Sequence, residues 1–271
     1  MIGYLRRVSV ATAAVVVAVT AFAAVLSAGN ASAQGQTKTE IITLDPFTSI
    51  QLNGGGSATL IFGDSPSVTI TGNSLIVDQL DAKVESGTLV LGSPLTSILD
   101  ITGLSELTYE IVAPSIDTIR LAGTVTLDVP DMLEQPFLEL GLTTGAELNI
   151  PAMQVASLTG KLDLLSTANL AGTAGSLQLE INNGSELNAT NLQVGSADLM
   201  LTGVAKANVR VTDSLTGRAD QGSTVHYITE TVTPNVTLNT LASISPLEYT
   251  PWVAPEGMVI PAVLVEASPA A

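Results

Sequence analysis

The sequence predicts an all-β fold wound as a β-solenoid, parallel β-helix-like, with coils of about 20 residues. Three observations carry that expectation. Apolar residues make up 46% of the 271, yet aromatic ones make up only 3%, so a core has to be built from Leu, Val, Ile and Ala. Charged residues reach only 13%, well below the usual share, and Thr, Ser, Asn and Gly supply the polar character instead. Short alternating runs broken by Gly or Asn also recur as a two-strand unit. An antiparallel β-sandwich is the alternative, because Thr-Gly and Asn-Gly corners suit hairpins as well.

The chain begins with a segment of different character. Met1 to Arg7 carries Arg6 and Arg7, Val8 to Ala28 is continuously apolar or small, and Ala31-Ser32-Ala33 is a small-x-small site. These are the parts of a secretory signal peptide, so residues 1–33 are expected to be removed by cleavage near Ala33. An uncleaved anchor is the alternative, since the run is long enough to cross a bilayer. No second run of that length follows, and the mature domain is not expected to span a membrane as helices. The expected location is secreted or on the exterior of the cell envelope.

Residues 34–41 read as a polar lead-in, 42–245 as the repeat domain and 246–271 as a Pro/Ala-rich tail. Within the repeat domain, Ile50-Gln-Leu-Asn, Ala58-Thr-Leu-Ile-Phe, Val68-Thr-Ile-Thr and Leu89-Val-Leu read as strands, with β-branched residues and period-2 patterning. Asn53-Gly54-Gly55-Gly56, Gly63-Asp64, Gly72-Asn73 and Ser86-Gly87 supply the breaks. Leu75 to Leu80 has room for a single helical turn. In the tail, Pro246, Pro251, Pro255, Pro261 and Pro269 oppose both helix interiors and central strands.

The repeat is clearest as Leu138-Glu-Leu-Gly-Leu-Thr-Thr-Gly-Ala-Glu-Leu-Asn-Ile and Leu177-Gln-Leu-Glu-Ile-Asn-Asn-Gly-Ser-Glu-Leu-Asn-Ala, with further copies starting at Leu162, Leu199 and Leu215 and a weaker one at Ile119. Leu148, Leu170, Leu187, Ala207 and Val225 read as matching positions, in steps of 22, 17, 20 and 18 residues. Such units cannot bury their apolar faces alone and must stack. Asn at an equivalent place in successive coils is expected to form a ladder of side-chain amides.

Phe47-Thr-Ser-Ile-Gln-Leu-Asn-Gly-Gly-Gly-Ser-Ala-Thr-Leu, Val84-Glu-Ser-Gly-Thr-Leu-Val-Leu, the Leu-x-Leu…Gly-Ser…Leu-Asn-Ala coils and Gly222-Ser-Thr-Val-His-Tyr together resemble the head GIN (auto-transporter adhesin) domain, over about Ile42 to Leu247. The resemblance implies an exported bacterial protein with a β-helical fold and adhesion as its inferred role. Ser166-Thr167-Ala168 and Val204-Ala205 depart from it, standing where Gly-rich corners are typical. Thr229 stands where a Gly often follows.

Chemistry is sparsely provided. The formal charge of −16 disfavours nucleic acid, which needs clustered Lys and Arg. Without the leader's two arginines the net becomes −18. There is no cysteine, and His226, the one histidine, reads as a surface or packed strand residue. Glu139, Glu147, Asp163, Glu180 and Glu186 read as solvent-facing strand carboxylates, with Lys161, Lys206, Arg210 and Arg218 scattered among them. Only Tyr109, Phe137, Tyr227, Tyr249 and Trp252 offer rings beyond the first strands. No catalytic, cofactor-binding or metal-binding residue is assigned, and no cofactor is expected. The favoured reading is a non-enzymatic surface or secreted protein, an adhesin or scaffold presenting a polar solenoid face to a glycan or cell-surface ligand, with exposed solenoid ends inviting self-association. A carbohydrate-active β-helix enzyme, hydrolase or lyase, is the alternative.

Overall fold

The computed structural model describes residues 36–92, 107–229 and 231–247. The expected leader and the tail beyond Leu247 lie outside the described residues. The N-terminal part holds β1 Thr37–Thr43, β2 Ser49–Phe62, β3 Ser67–Asn73, α1 Ser74–Val77, β4 Asp81–Glu85 and β5 Thr88–Gly92. There follow β6 Thr108–Ala113, β7 Thr118–Asp128, β8 Leu133–Thr143, β9 Glu147–Leu162, β10 Thr167–Asn182 and β11 Glu186–Thr202. Then come β12 Lys206–Ala219, β13 Thr224–Ile228, β14 Asn235–Leu238 and β15 Ser243–Pro246.

From β7 onward every described pairing is parallel, each strand lying on its equivalent one coil away. That excludes the antiparallel sandwich. The chain is a β-solenoid of about six turns.

Antiparallel pairing is confined to the N-terminal end. There β3 lies between β1 and β6, and β4 folds back on β5 through Ser86 and Gly87 at φ 50° and 78°. Strand β1 thus lies largely in the segment expected to be a polar lead-in. Its Thr-Lys-Thr-Glu alternation suits a half-exposed edge. The single helical turn, α1, is capped by Asn73, whose Oδ1 accepts the Leu75 N–H at 3.0 Å. Strand β2 runs straight through Gly54–Gly56, bending there instead of ending.

One coil shows how the sequence makes the fold. In β9, Leu148 and Ile150 face inward, then Met153 and Val155, then Leu158 and Leu162, all at most 4% exposed. Between these three apolar arms the chain turns a corner at Pro151-Ala152 and another at Ala156-Ser157. Stacking puts like positions over one another. Leu148, Ala168, Leu187, Ala207 and Val225 form one inner column, in steps of 20, 19, 20 and 18 residues. The sequence-based match at Leu170 is therefore displaced by two; Leu170 stacks on Ile150. Ala168 and Leu170 both face inward, so period-2 patterning cannot separate them. The column alternates large and small side chains, which lets neighbouring coils interdigitate at native packing density.

The coils vary in length on one side only. Leu158 to Thr167, Leu177 to Glu186, Ala197 to Lys206 and Leu215 to Thr224 are each nine residues apart. The complementary stretches, Glu147 to Leu158, Thr167 to Leu177, Glu186 to Ala197 and Lys206 to Leu215, take 11, 10, 11 and 9. The slack is taken up in bulges on this side, mainly near the first corner, where register shifts at Leu170/Gly172 and Ala189/Gln193, with a further shift at Val194/Ser196.

The constant side contains a tight turn with two successive left-handed residues. They are Thr144-Gly145, Leu164-Leu165, Asn183-Gly184, Gly203-Val204, Gln221-Gly222 and Thr240-Leu241. Backbone groups join these turns from coil to coil, as from Leu165 N to Asn183 O at 3.1 Å and Val204 N to Gln221 O at 3.0 Å. Leu164, Leu165, Val204 and Leu241 hold φ of 52°, 66°, 65° and 63°, a conformation that costs an L side chain roughly 1–2 kcal/mol. Three small hydroxyl residues, Ser166, Ser185 and Ser223, stand just after the turns and are fully buried. Ser166 and Ser185 hydrogen-bond one another at 3.3 Å, and Ser166 also donates to Leu142 O.

Candidate functional site

The predicted amide ladder exists. Asn149 Nδ2 donates to Asp128 Oδ1 at 2.8 Å, Asn169 to Asn149 at 2.7 Å, Asn188 to Asn169 at 3.0 Å and Asn208 to Asn188 at 2.8 Å. Each donor lies one coil beyond its acceptor, so the amide dipoles run head to tail along the solenoid. His226 occupies the next rung, paired in register with Asn208, and its Nδ1 lies 2.9 Å from Ser245 Oγ on the rung after. The histidine therefore continues a polar column; its partner is the Ser245 hydroxyl, and no carboxylate hydrogen-bonds the ring among the described residues.

An open groove of ≈ 620 Å³ runs beside the ladder. Asp128, Asn149, Asn169 and Asn188 form its polar wall, and Pro130, Pro151, Ala171, Thr190 and Asn191 come from the variable corners. Sequence reasoning found the ladder from the recurring Asn. It missed the groove, because the corner residues share no common pattern.

The sequence-picked carboxylates do not converge. Glu139 is held by Arg120 at 2.7 Å, Glu186 by Lys206 at 2.9 Å, and Glu180 lies 3.9 Å from Lys161. Glu147 accepts from Asn169 at 3.4 Å. It sits two coils from Glu186 in one column of the same sheet, with Thr167 between them. Glycoside hydrolysis needs carboxyls flanking the bond from two sides, and these project side by side from one face. Asp163 sits in a turn, where the Asn183 amide, the Leu164 N–H and Lys161 hold its carboxyl below the usual range. No group of three or more His, Cys, Asp or Glu that could hold a metal ion occurs among the described residues.

The remaining picks are dispersed. Arg218 pairs with Asp220 at 2.6 Å, while Arg210 lines a second groove with Gln193 and Thr229. Tyr109 is buried beneath the N-terminal end, its hydroxyl pushed up to about 12 by burial. Phe137 is exposed and Tyr227 packs on the core edge. Tyr249 and Trp252 lie outside the described residues.

Coils that stack on one another around a continuous shared core define the class of β-repeat solenoid domains. Residues 46–230 match the family model "Putative auto-transporter adhesin, head GIN domain", and the chain belongs to that family. Among solved structures it is similar to a putative adhesin from Bacteroides fragilis, at 15% identity and a TM-score of 0.68, covering 78% of this chain and 97% of that one. A putative lipid binding protein from Parabacteroides distasonis is similar at 12% identity and a TM-score of 0.56, covering 78% and 97%. A putative adhesin from Parabacteroides merdae is similar at 15% and 0.53, covering 79% and 97%. These likenesses concern the fold. No curated protein matches the chain. No helix among the described residues is long and apolar enough to cross a membrane.

Proposed function

We propose that the chain is an exported, non-enzymatic adhesion module that holds an uncharged polar polymer, of the glycan class, along the amide ladder and its groove. The observation that supports this most directly is the ladder itself. It presents neutral donors and acceptors at a fixed repeat of roughly 4.8 Å, the spacing of stacked strands. A net charge of −16 works against anionic ligands, and the Asn–Thr–Pro lining suits hydroxyl-rich, partly apolar surfaces. The family's adhesin description and the three-part leader are consistent with a surface or secreted location.

The test is retention of the exported protein on neutral and acidic polysaccharides, with product analysis. Neutral-glycan retention that falls when Asn169 is replaced by Leu, without shortening of the polymer, is expected. Depolymerisation, or retention indifferent to Asn169→Leu and Asn188→Leu, would remove the proposal.

A further inference from the structure

The turn edge on the constant side of the solenoid carries an unusual order of residues. The second left-handed position, followed from coil to coil, reads Gly145, Leu165, Gly184, Val204, Gly222, Leu241. Large aliphatic side chains and glycines alternate without exception. Leu165, Val204 and Leu241 are 73%, 70% and 93% exposed, whereas a Cβ added at Gly145 or Gly222 would meet nothing within 4 Å. The edge is thus a comb, with apolar teeth every second coil, roughly 9.6 Å apart at strand spacing, and gaps between them. Leu165 leans over Gly184, its Cδ2 lying 2.8 Å from where a Cβ would stand.

The glycines suit the left-handed turn, but the teeth do not serve the fold. The teeth bury little, and each holds a backbone conformation in which glycine is easier. Strain kept at exposed apolar positions points to a contact made with something else.

The comb itself indicates the occupant. Number the coils one to six from Gly145. Turned end for end, a second comb sets coil one against six, two against five and three against four. Every tooth then faces a glycine: Leu241 on Gly145 and Leu165 on Gly222, where the space is open, and Val204 on Gly184, beside the Leu165 that leans over it. We propose that this edge pairs with a second copy of the chain in an antiparallel, two-fold arrangement. The contact is isologous and closes on itself. It also sets Lys161 and Asp163 of one copy against the coil bearing Arg218 and Asp220 of the other, so that each cation meets a carboxylate. A contact only five coil steps long, roughly 24 Å, makes a weak dimer, with association expected at high protein concentration.

The absence of cysteine makes the test clean. In the exported protein, Val204→Cys lies about one coil from its own counterpart across the two-fold axis and should oxidise to a covalent dimer. Leu241→Cys, about five coils from its counterpart, should not. Equal cross-linking of both would overturn the antiparallel pairing in favour of a parallel one. The second arm replaces Leu165, Val204 and Leu241 together by Gly, which removes the teeth while relieving backbone strain. Melting temperature should hold or rise, while sedimentation shows self-association weakened at least about tenfold. Gly222→Asn, which fills a gap with a residue that tolerates the turn, should weaken it too. A monomer at millimolar concentration would overturn the proposal. So would tooth-dependent binding to phosphatidylcholine vesicles without dimer formation, which would make lipid the occupant.

Discussion

Asn188 donates its side-chain amide to Asn169, 19 residues earlier in the chain and one coil below, at 3.0 Å. The same amide accepts from Asn208 at 2.8 Å, so Asn188 is bonded on both sides. Replacing it by Ala should cost about 1–3 kcal/mol, because two partly buried neighbours each lose a partner. Asn188→Asp should cost more at neutral pH, as a carboxylate cannot donate to Asn169. Urea unfolding monitored by circular dichroism measures both. Equal stability of all three proteins would mean that water satisfies the rungs.

Glycines in this chain should separate into two classes. A Cβ at Gly172 would stand 2.1 Å from Met153 O, against backbone that cannot move without shifting a coil. Gly172→Ala is expected to lose roughly 2–4 kcal/mol. Gly222→Ala meets only open space and a φ of 75°, and should lose about 1 kcal/mol. Thermal melts of the two variants give the comparison directly.

Acid should weaken the fold partly through Asp163. Its carboxyl is held low in the folded state, chiefly by the Asn183 amide, so its contribution is present above the ordinary carboxylate pKa and is lost as pH falls through the lowered folded value. Asp163→Asn should lower the neutral plateau of a stability–pH curve and flatten its acid limb. An unchanged acid limb would assign the loss to other carboxylates.

Alkali should act through Tyr109, which is 6% exposed and has its pKa raised to about 12 by burial. Between about 10 and 12 the unfolded chain gives up the phenolic proton while the folded one keeps it, so stability falls with rising pH there. Tyr109→Phe should remove that part of the alkaline loss. Absorbance titration near 295 nm would show one tyrosine ionising late in the folded protein and normally in urea.

Much of this architecture is legible in the residues. The strands at Ile50, Ala58, Val68 and Leu89, the coil period and the amide ladder all follow from alternation and the recurring Asn. Three things are not. The inner column is misplaced at Leu170, because a two-residue slip leaves the inward face unchanged. Strand β1 is hidden in a polar segment whose Thr, Lys and Glu signal exposure more than pairing. The turn at Leu164-Leu165 is silent, since nothing about two leucines announces a left-handed backbone; the neighbouring coils, with Thr-Gly and Asn-Gly at that place, impose it. The groove and the comb emerge only when residues one coil apart are laid over each other.

The coil counts nine residues strictly on the turn side and between 9 and 11 loosely on the groove side. Insertions and deletions therefore have one place to settle. A lineage of such chains is free to rewrite the corner at Thr190–Leu192 and its equivalents, changing the shape and lining of the groove, while the stacking frame and the spacing of its edge stay in phase.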